Sequence, residues 1–267
     1  MNKTDMNNEE VELNDHLLVD VGNTRIKALP YQSQYGDASF AKNAFTVVHN
    51  HCFDQAFARV LTNVSRPQDV WVSNVAGDQA RLAVESFCHE EWKIKPNFAH
   101  VERDRHGIQN SYINLDELGV DRWMAIQGAR QLLKGALIII GCGTAITVDA
   151  LSEDDVFIGG AILPGLELSV NSLSKAQGIP QINFQKYSHA LGTTTTDCVR
   201  VGAINACAGG VEKIVVSIIE KFVDIPITIL ASGGAAKVIL SATNLKFEYD
   251  ANLVLRGLQR VSKNSLS

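Results

Sequence analysis

The chain has 267 residues, 46% of them hydrophobic, enough apolar side chain for one large domain or for two domains sharing an interface. Its 24 Lys+Arg against 29 Asp+Glu give a formal net charge of −5, which removes any electrostatic reason to expect nucleic acid or an anionic membrane as a partner. Five scattered cysteines, an odd number with no CxxC pair, point to a reducing cytoplasm and away from a disulfide framework or a zinc site.

Residues 1–16, MNKTDMNNEEVELNDH, are polar and acidic and read as a disordered tail without the apolar core of a signal peptide. No apolar stretch is expected to reach bilayer-spanning length. Next, LLVDVG and IKALPY predict two strands around a tight turn, and FDQAFARVLTNV has helical spacing. DVWVSNV predicts a strand, DQARLAVESFCHE a second amphipathic helix and PNFAHV a short strand. The polar stretch ERDRHGIQNSYINLDEL then leads to GVDRWMAIQGARQLLK. Asp121 can cap that helix, whose Trp123, Met124, Ile126, Leu132 and Leu133 are expected to face a core.

The second half restarts in the same way. ALIII, AITVDAL and DVFIGGAIL predict three strands, and PGLELSVNSLSKA a helix opened by Pro164. A long helix is expected from about Thr195 to Phe222, IPITILASGG as a buried strand ending in a glycine turn, and NLVLRGLQRV as the closing helix. Each half opens with strand, glycine turn, strand, which predicts a duplicated α/β unit with a cleft between the copies. The division falls at residues 17–133 and 134–267.

The first turn, DVGNTRIK, can bind phosphate: backbone N–H groups around Gly22, with the Asn23 and Thr24 side chains, form a concavity suited to an anion. Asp20 at the strand end can hold a hydrated Mg2+ against such phosphates, and Lys27 adds a point charge. An ordinary hairpin turn uses the same residue types. GCGTA starts like a dinucleotide fingerprint but runs on into strand rather than helix, so a Rossmann turn does not fit. A Walker loop is absent. In LGVDRW, a carboxylate and a guanidinium stand side by side at a helix head. Asp121 could accept a proton from a hydroxyl and Arg122 could bind an acid; an N-cap with a surface ion pair is the plainer use of the same residues. The small residues Gly202, Ala203, Ala206, Cys207, Gly209 and Gly210 suit close helix approach, between subunits or within one chain. Cys142 reads as a small filler, and Trp71, Trp92 and Trp123 as core or rim residues.

Taken in order, DVGNTxxK, Y…GVDRW, GTAITVD, GGAILPG, LGTTTTDCVRVG and SGG resemble the type III pantothenate kinases of the acetate and sugar kinase/Hsp70/actin superfamily, over roughly residues 17–259. The resemblance implies two ribonuclease-H-like (actin-type ATPase) domains, a homodimer, a cytoplasmic location, and ATP with Mg2+ and pantothenate as ligands. It places ATP on Asp20, Val21, Gly22, Asn23, Thr24, Arg25, Ile26, Lys27 and Thr144, with Ser232 to Gly234 near the adenosine. It places pantothenate on Tyr112, Gly119, Val120, Asp121 and Arg122, with Asp121 as proton acceptor and Thr195 reaching substrate across the dimer interface. The family's second loop reads Asp–X–Gly–Thr, its Asp holding a monovalent cation (K+ or NH4+). Gly141 stands there in this chain, while Asp149 matches the acid that ends the motif. Two readings follow: a pantothenate kinase, or a catalytically degenerate relative that binds nucleotide or pantothenate in an accessory or regulatory role.

Overall fold

The computed structural model describes residues 16–41, 44–62, 64–174, 184, 191–222 and 224–263. Residues 1–15 of the expected tail lie outside these, but His16 does not belong to a tail: it is buried as the first residue of strand β1 (His16–Val21). β1 turns into β2 (Arg25–Tyr31), which pairs with β3 (Phe45–Val48); helix α1 (Phe53–Leu61), β4 (Asp69–Asn74), α2 (Asp78–Phe87) and β5 (Asn97–Phe98) complete the first unit. β6 (Asp104–Arg105) and β7 (Ile108–Asn110) lie in the stretch expected to be loop, before α3 (Val120–Leu132). The second unit comprises β8 (Ala136–Cys142), β9 (Ala145–Leu151), β10 (Val156–Pro164), α4 (Leu166–Ser174), α5 (Thr195–Ile219), β11 (Ile227–Ser232), α6 (Ala236–Leu240), β12 (Glu248–Tyr249) and α7 (Leu253–Ser262).

The duplication is visible in the sheets. The first runs β3-β2-β1-β4-β5, and the second contains β10-β9-β8-β11-β12 in the corresponding order. Strand directions agree pair by pair: antiparallel for the hairpins, parallel for the crossovers. β7 and β6 extend the second sheet beyond β10, so that sheet recruits strands from before residue 133. The halves are therefore interleaved rather than cut cleanly at residues 133/134.

Both central strands bury both faces, which explains their unbroken apolar runs. On β1, Leu17, Val19 and Val21 meet α1 and α2 on one face, while Leu18 points the other way. On β8, Ile138 and Ile140 pack with α5 and α6, while Leu137 and Ile139 turn to the core shared with Leu18. α3 and α7 fill that shared middle layer, and here glycines matter. A Cβ on Gly257 would stand 1.9 Å from the Met124 carbonyl oxygen, and one on Gly128 2.1 Å from that of Leu253, so the two helices touch backbone to backbone.

Several expectations are corrected. Trp123, Met124 and Ile126 of α3 are buried, but Leu132 is exposed and Leu133 only half-buried, because the helix ends there and the chain extends toward β8. Pro164 closes β10 rather than opening α4, which starts at Leu166. α5 ends at Ile219, and against expectation it is long and apolar enough by length and composition to cross a membrane, with a mean hydropathy of 1.4. Its Ala203, Ile204, Cys207, Ala208, Val211 and Val215 are buried in the core of the second unit.

Candidate active site in the cleft between the units

The β1–β2 turn and the β8–β9 turn face each other across a cavity of about 230 Å3. The Thr24 and Thr144 hydroxyls meet at 2.8 Å, joining turns that are 120 residues apart in sequence. Asp20, Gly22, Asn23, Thr24, Arg25 and Lys27 line one side. Gly141 to Ala145 and Ser232 to Gly234 line the other, and Asp121 and Arg122 close the floor. Val21 and Ile26, counted with the ATP-binding turn, instead send their side chains into the core with no exposed surface, because alternate residues of a strand face opposite ways.

Asp20 has Lys27 opposite it on β2 and Ser73 beside it on β4. Its Oδ1 is enclosed and has no hydrogen-bond partner among the described residues. Burial, reinforced by the nearby Asp121 charge, pushes the Asp20 carboxyl up to about 7, against the opposing pull of Lys27 and Ser73. Lys27 and Ser73 answer only part of this carboxylate, and the enclosed Oδ1 is suited to a cationic ligand from the cavity.

Asp121 lies inside α3 rather than at its N-cap, which is Gly119. Its Oδ1 folds back to accept the Arg122 backbone N–H at 2.8 Å. A Cβ on Gly119 would stand 2.6 Å from that oxygen, which is why glycine fits two places before the acid. Burial raises the Asp121 pKa, with the Arg122 N–H and guanidinium opposing.

Arg122 is buried and spoken for. Nη2 and Nε donate to the two carboxylate oxygens of Asp149 at 2.5 and 3.2 Å, and Nη1 donates to the Tyr112 hydroxyl at 2.8 Å. Burial disfavours its charge, but Asp149 and Tyr112 outweigh that and raise its pKa. Tyr112 does not line the cavity; it stacks on Phe157 at 5.7 Å and reaches the site through Arg122. Gly119 and Val120 are not among the residues lining the cavity, and Val120 packs against the shared core. Thr195, the first residue of α5, is exposed and is not among the residues lining this cavity.

Gly141 lines the cavity, but a side chain there would crowd one neighbour. It pairs across the hairpin with Thr147, whose Oγ1 lies 2.7 Å from where a Cβ on residue 141 would sit. Among the described residues, the acids lining the cavity are Asp20 and Asp121. Cys142 is buried, and burial pushes its thiol up to about 12, so it stays protonated. Sequence reasoning missed the α7 side of the site: Leu253 and Val254 line the cavity, and the Ala251 carbonyl accepts from Lys27 Nζ at 3.1 Å. An amphipathic closing helix carries no local mark of such a contact. Also missed was His49, buried beneath the first turn with Nε2 at 3.0 Å from the Gly22 carbonyl.

The type III pantothenate kinase family model matches residues 16–217. A type III pantothenate kinase of Janthinobacterium sp. is 34% identical over 263 residues, covering 92% of this chain and 96% of its own. One from Alcanivorax borkumensis is 31% identical over 248 residues, covering 92% and 98%. Among solved structures, a Baf family protein from Campylobacter jejuni superposes with a TM-score of 0.54 at 21% identity, covering 94% of this chain and all of its own. A Sinorhizobium meliloti protein named for 2-dehydro-3-deoxygalactonokinase gives 0.52 at 11% identity, covering 93% and 96%. These structural likenesses speak for the fold: two ribonuclease-H-like, actin-type units around a cleft.

Proposed function

This chain belongs to the type III pantothenate kinases, and on that premise we propose that it transfers the γ-phosphate of ATP to the primary hydroxyl of pantothenate. The product is 4'-phosphopantothenate, made in the first step of coenzyme A synthesis. The observation that carries this reading is the facing pair of glycine turns with two acids, Asp20 and Asp121, between them.

Phosphoryl transfer asks a protein chiefly for positioning and for charge neutralisation. The amides of the first turn, with Asn23, Thr24 and Lys27, would cradle the phosphates, and Thr144 would meet them from the other side. The donor set suits Mg2+: a hard carboxylate with its Oδ1 unpartnered, beside a phosphate cradle, fits an ion that keeps most of its water. Bound there through Asp20, Mg2+ would supply charge neutralisation. Asp121 would orient the pantothenate hydroxyl and take its proton as the bond to phosphorus forms. Arg122, fixed by Asp149 and Tyr112, would hold the other end of the substrate, and Thr195 of a second subunit would complete the site in a homodimer. The location in this reading is the cytoplasm.

A monovalent cation fits poorly. The carboxylate that would hold it is replaced by Gly141, and the Thr147 hydroxyl occupies the adjoining space. That observation favours the second reading, an accessory protein that binds nucleotide or pantothenate without turnover. A coupled ADP-release assay with pantothenate, in potassium and in sodium buffer, decides between them: turnover in either buffer sustains the kinase, and its absence in both with ligand binding intact favours the accessory role.

A further inference from the structure

We infer that His49 is a positioning residue for the first phosphate turn, holding its carbonyls away from the cleft so that its amides face the nucleotide. The inference rests on the reading that ATP phosphates lie on the Asp20–Lys27 turn. His49 follows β3 directly and is 2% exposed. Its ring stacks on Phe53 with centroids 4.4 Å apart. The His51 backbone N–H donates to Nδ1 at 3.0 Å. An amide N–H can only donate, so Nδ1 is the acceptor and Nε2 carries the proton. Nε2 therefore donates to the Gly22 carbonyl at 3.0 Å. The His49 backbone N–H donates in turn to the Thr24 carbonyl at 3.2 Å. One residue thus takes two carbonyls of a single tight turn.

The consequence follows from the trans peptide, in which the C=O of one residue and the N–H of the next point in opposite directions. Anchoring the Gly22 oxygen on His49 turns the Asn23 N–H to the far side, toward the cavity that Asn23 lines. Anchoring the Thr24 oxygen likewise turns the Arg25 N–H away from β3, to the side where the Arg25 carbonyl accepts from the Gly22 N–H. Without the anchors, a peptide flip would present carbonyl lone pairs to a polyanion. The anchor is itself held by strain: Asn50 and His51 have φ of 44° and 63°, left-handed values that side chains other than glycine rarely adopt. Those two residues bend the chain back so that the His51 N–H meets the His49 ring.

The test is steady-state kinetics and calorimetric ATP titration on the full chain and three variants. His49→Gln keeps a donor near the Nε2 position; His49→Asn keeps an acceptor near Nδ1 but cannot reach Gly22; His49→Phe keeps only the ring. We expect KM for ATP to rise about tenfold in the Asn and Phe variants, the scale of one buried hydrogen bond and its stranded acceptor, with recovery in the Gln variant and KM for pantothenate unchanged throughout. If Phe is too unstable to assay, Gln against Asn still carries the comparison. Unchanged ATP use in the Asn variant, or a Gln variant as impaired as Asn, overturns the inference. A wild-type chain that binds no ATP overturns the kinase reading along with it, a different failure from variants that bind ATP as well as wild type.

Discussion

Arg122 and Asp149 form a two-point ion pair buried at the floor of the cleft, from α3 to the centre of β9. The pair is framed by Gly160, directly opposite Asp149 on β10, where a Cβ would stand 2.3 Å from Asp149 Oδ1 and 2.9 Å from Arg122 Nη2. Arg122 therefore comes to any substrate already neutralised, offering hydrogen bonds rather than net charge. Asp149→Ala would strand a buried guanidinium and should cost roughly 3–5 kcal/mol of stability. Gly160→Ala should do comparable damage by forcing the pair apart. Chemical denaturation measures both, and a Gly160→Ala chain with wild-type midpoint would mean that the backbone gives way there.

The duplicated fold was legible because each central strand, buried on both faces, writes a continuous apolar run, and each hairpin turn announces itself by glycine. β3, β6, β7, β12 and α6 were not, since elements of two to five residues carry too little periodicity to be read alone. At the site, Asp20, Thr24 and Thr144 could be named because the turns place them, and Asp121 because it stands in the first turn of α3. The Arg122–Asp149 pairing joins residues 27 apart on different elements, and His49 lies in a loop with no motif of its own, so neither could be read locally.

Asp121→Asn should lower turnover by about 100-fold or more, the usual scale for a positioned general base, with the fold intact. The same role fixes a pH dependence. Only the deprotonated carboxylate accepts a proton, and burial raises its pKa above the ordinary carboxylate value. The acid limb of kcat/KM should thus lie above the usual carboxylate range, activity rising with pH through it. An Asn variant that keeps most of its rate would reduce Asp121 to a helix-end hydrogen bond.

Asp20→Asn should weaken Mg-ATP binding while stabilising the ligand-free protein. The folded carboxyl sits at about 7 against an ordinary 3.8. Below the lower value both states hold the proton and the residue costs nothing. As pH rises toward the higher one, the unfolded chain gives up its proton first, so stability falls. The variant's advantage should be full above pH 7 and fade toward pH 4, reaching about 3 °C or more in melting temperature, the scale of ~1 kcal/mol in a chain of this size. A variant less stable than wild type at pH 8 would refute the buried-charge account.

If Thr195 completes a site in the opposite subunit, mixing Asp121→Asn chains with Thr195→Ala chains should rescue activity. Each heterodimer then holds one site with both residues intact. Random exchange at equal ratio gives roughly a quarter of the wild-type activity per total site, provided each single defect is complete. No recovery after exchange has been verified by mass spectrometry would place Thr195 outside the site.

Gly141 offers the sharpest test of how this cleft handles cations. With no acid on the second turn, a monovalent ion beside the phosphates would have only hydroxyls, carbonyls and water for ligands, and turnover should prefer potassium over sodium little or not at all. Restoring the acid is not a single step. The Thr147 hydroxyl stands 2.7 Å from the position of a Cβ at residue 141, so Gly141→Asp must push it aside. Overpacking of this kind costs roughly 1–3 kcal/mol, and a partly desolvated carboxylate without an ion adds to it. Gly141→Asp alone should therefore melt lower than wild type in any buffer. Gly141→Asp with Thr147→Ala should recover the packing loss and acquire a melting temperature that rises when potassium is added to potassium-free buffer. The Thr147→Ala single variant should show no such response. A wild-type enzyme already dependent on potassium would mean that carbonyls and hydroxyls alone build the ion site, and that the replaced acid was dispensable.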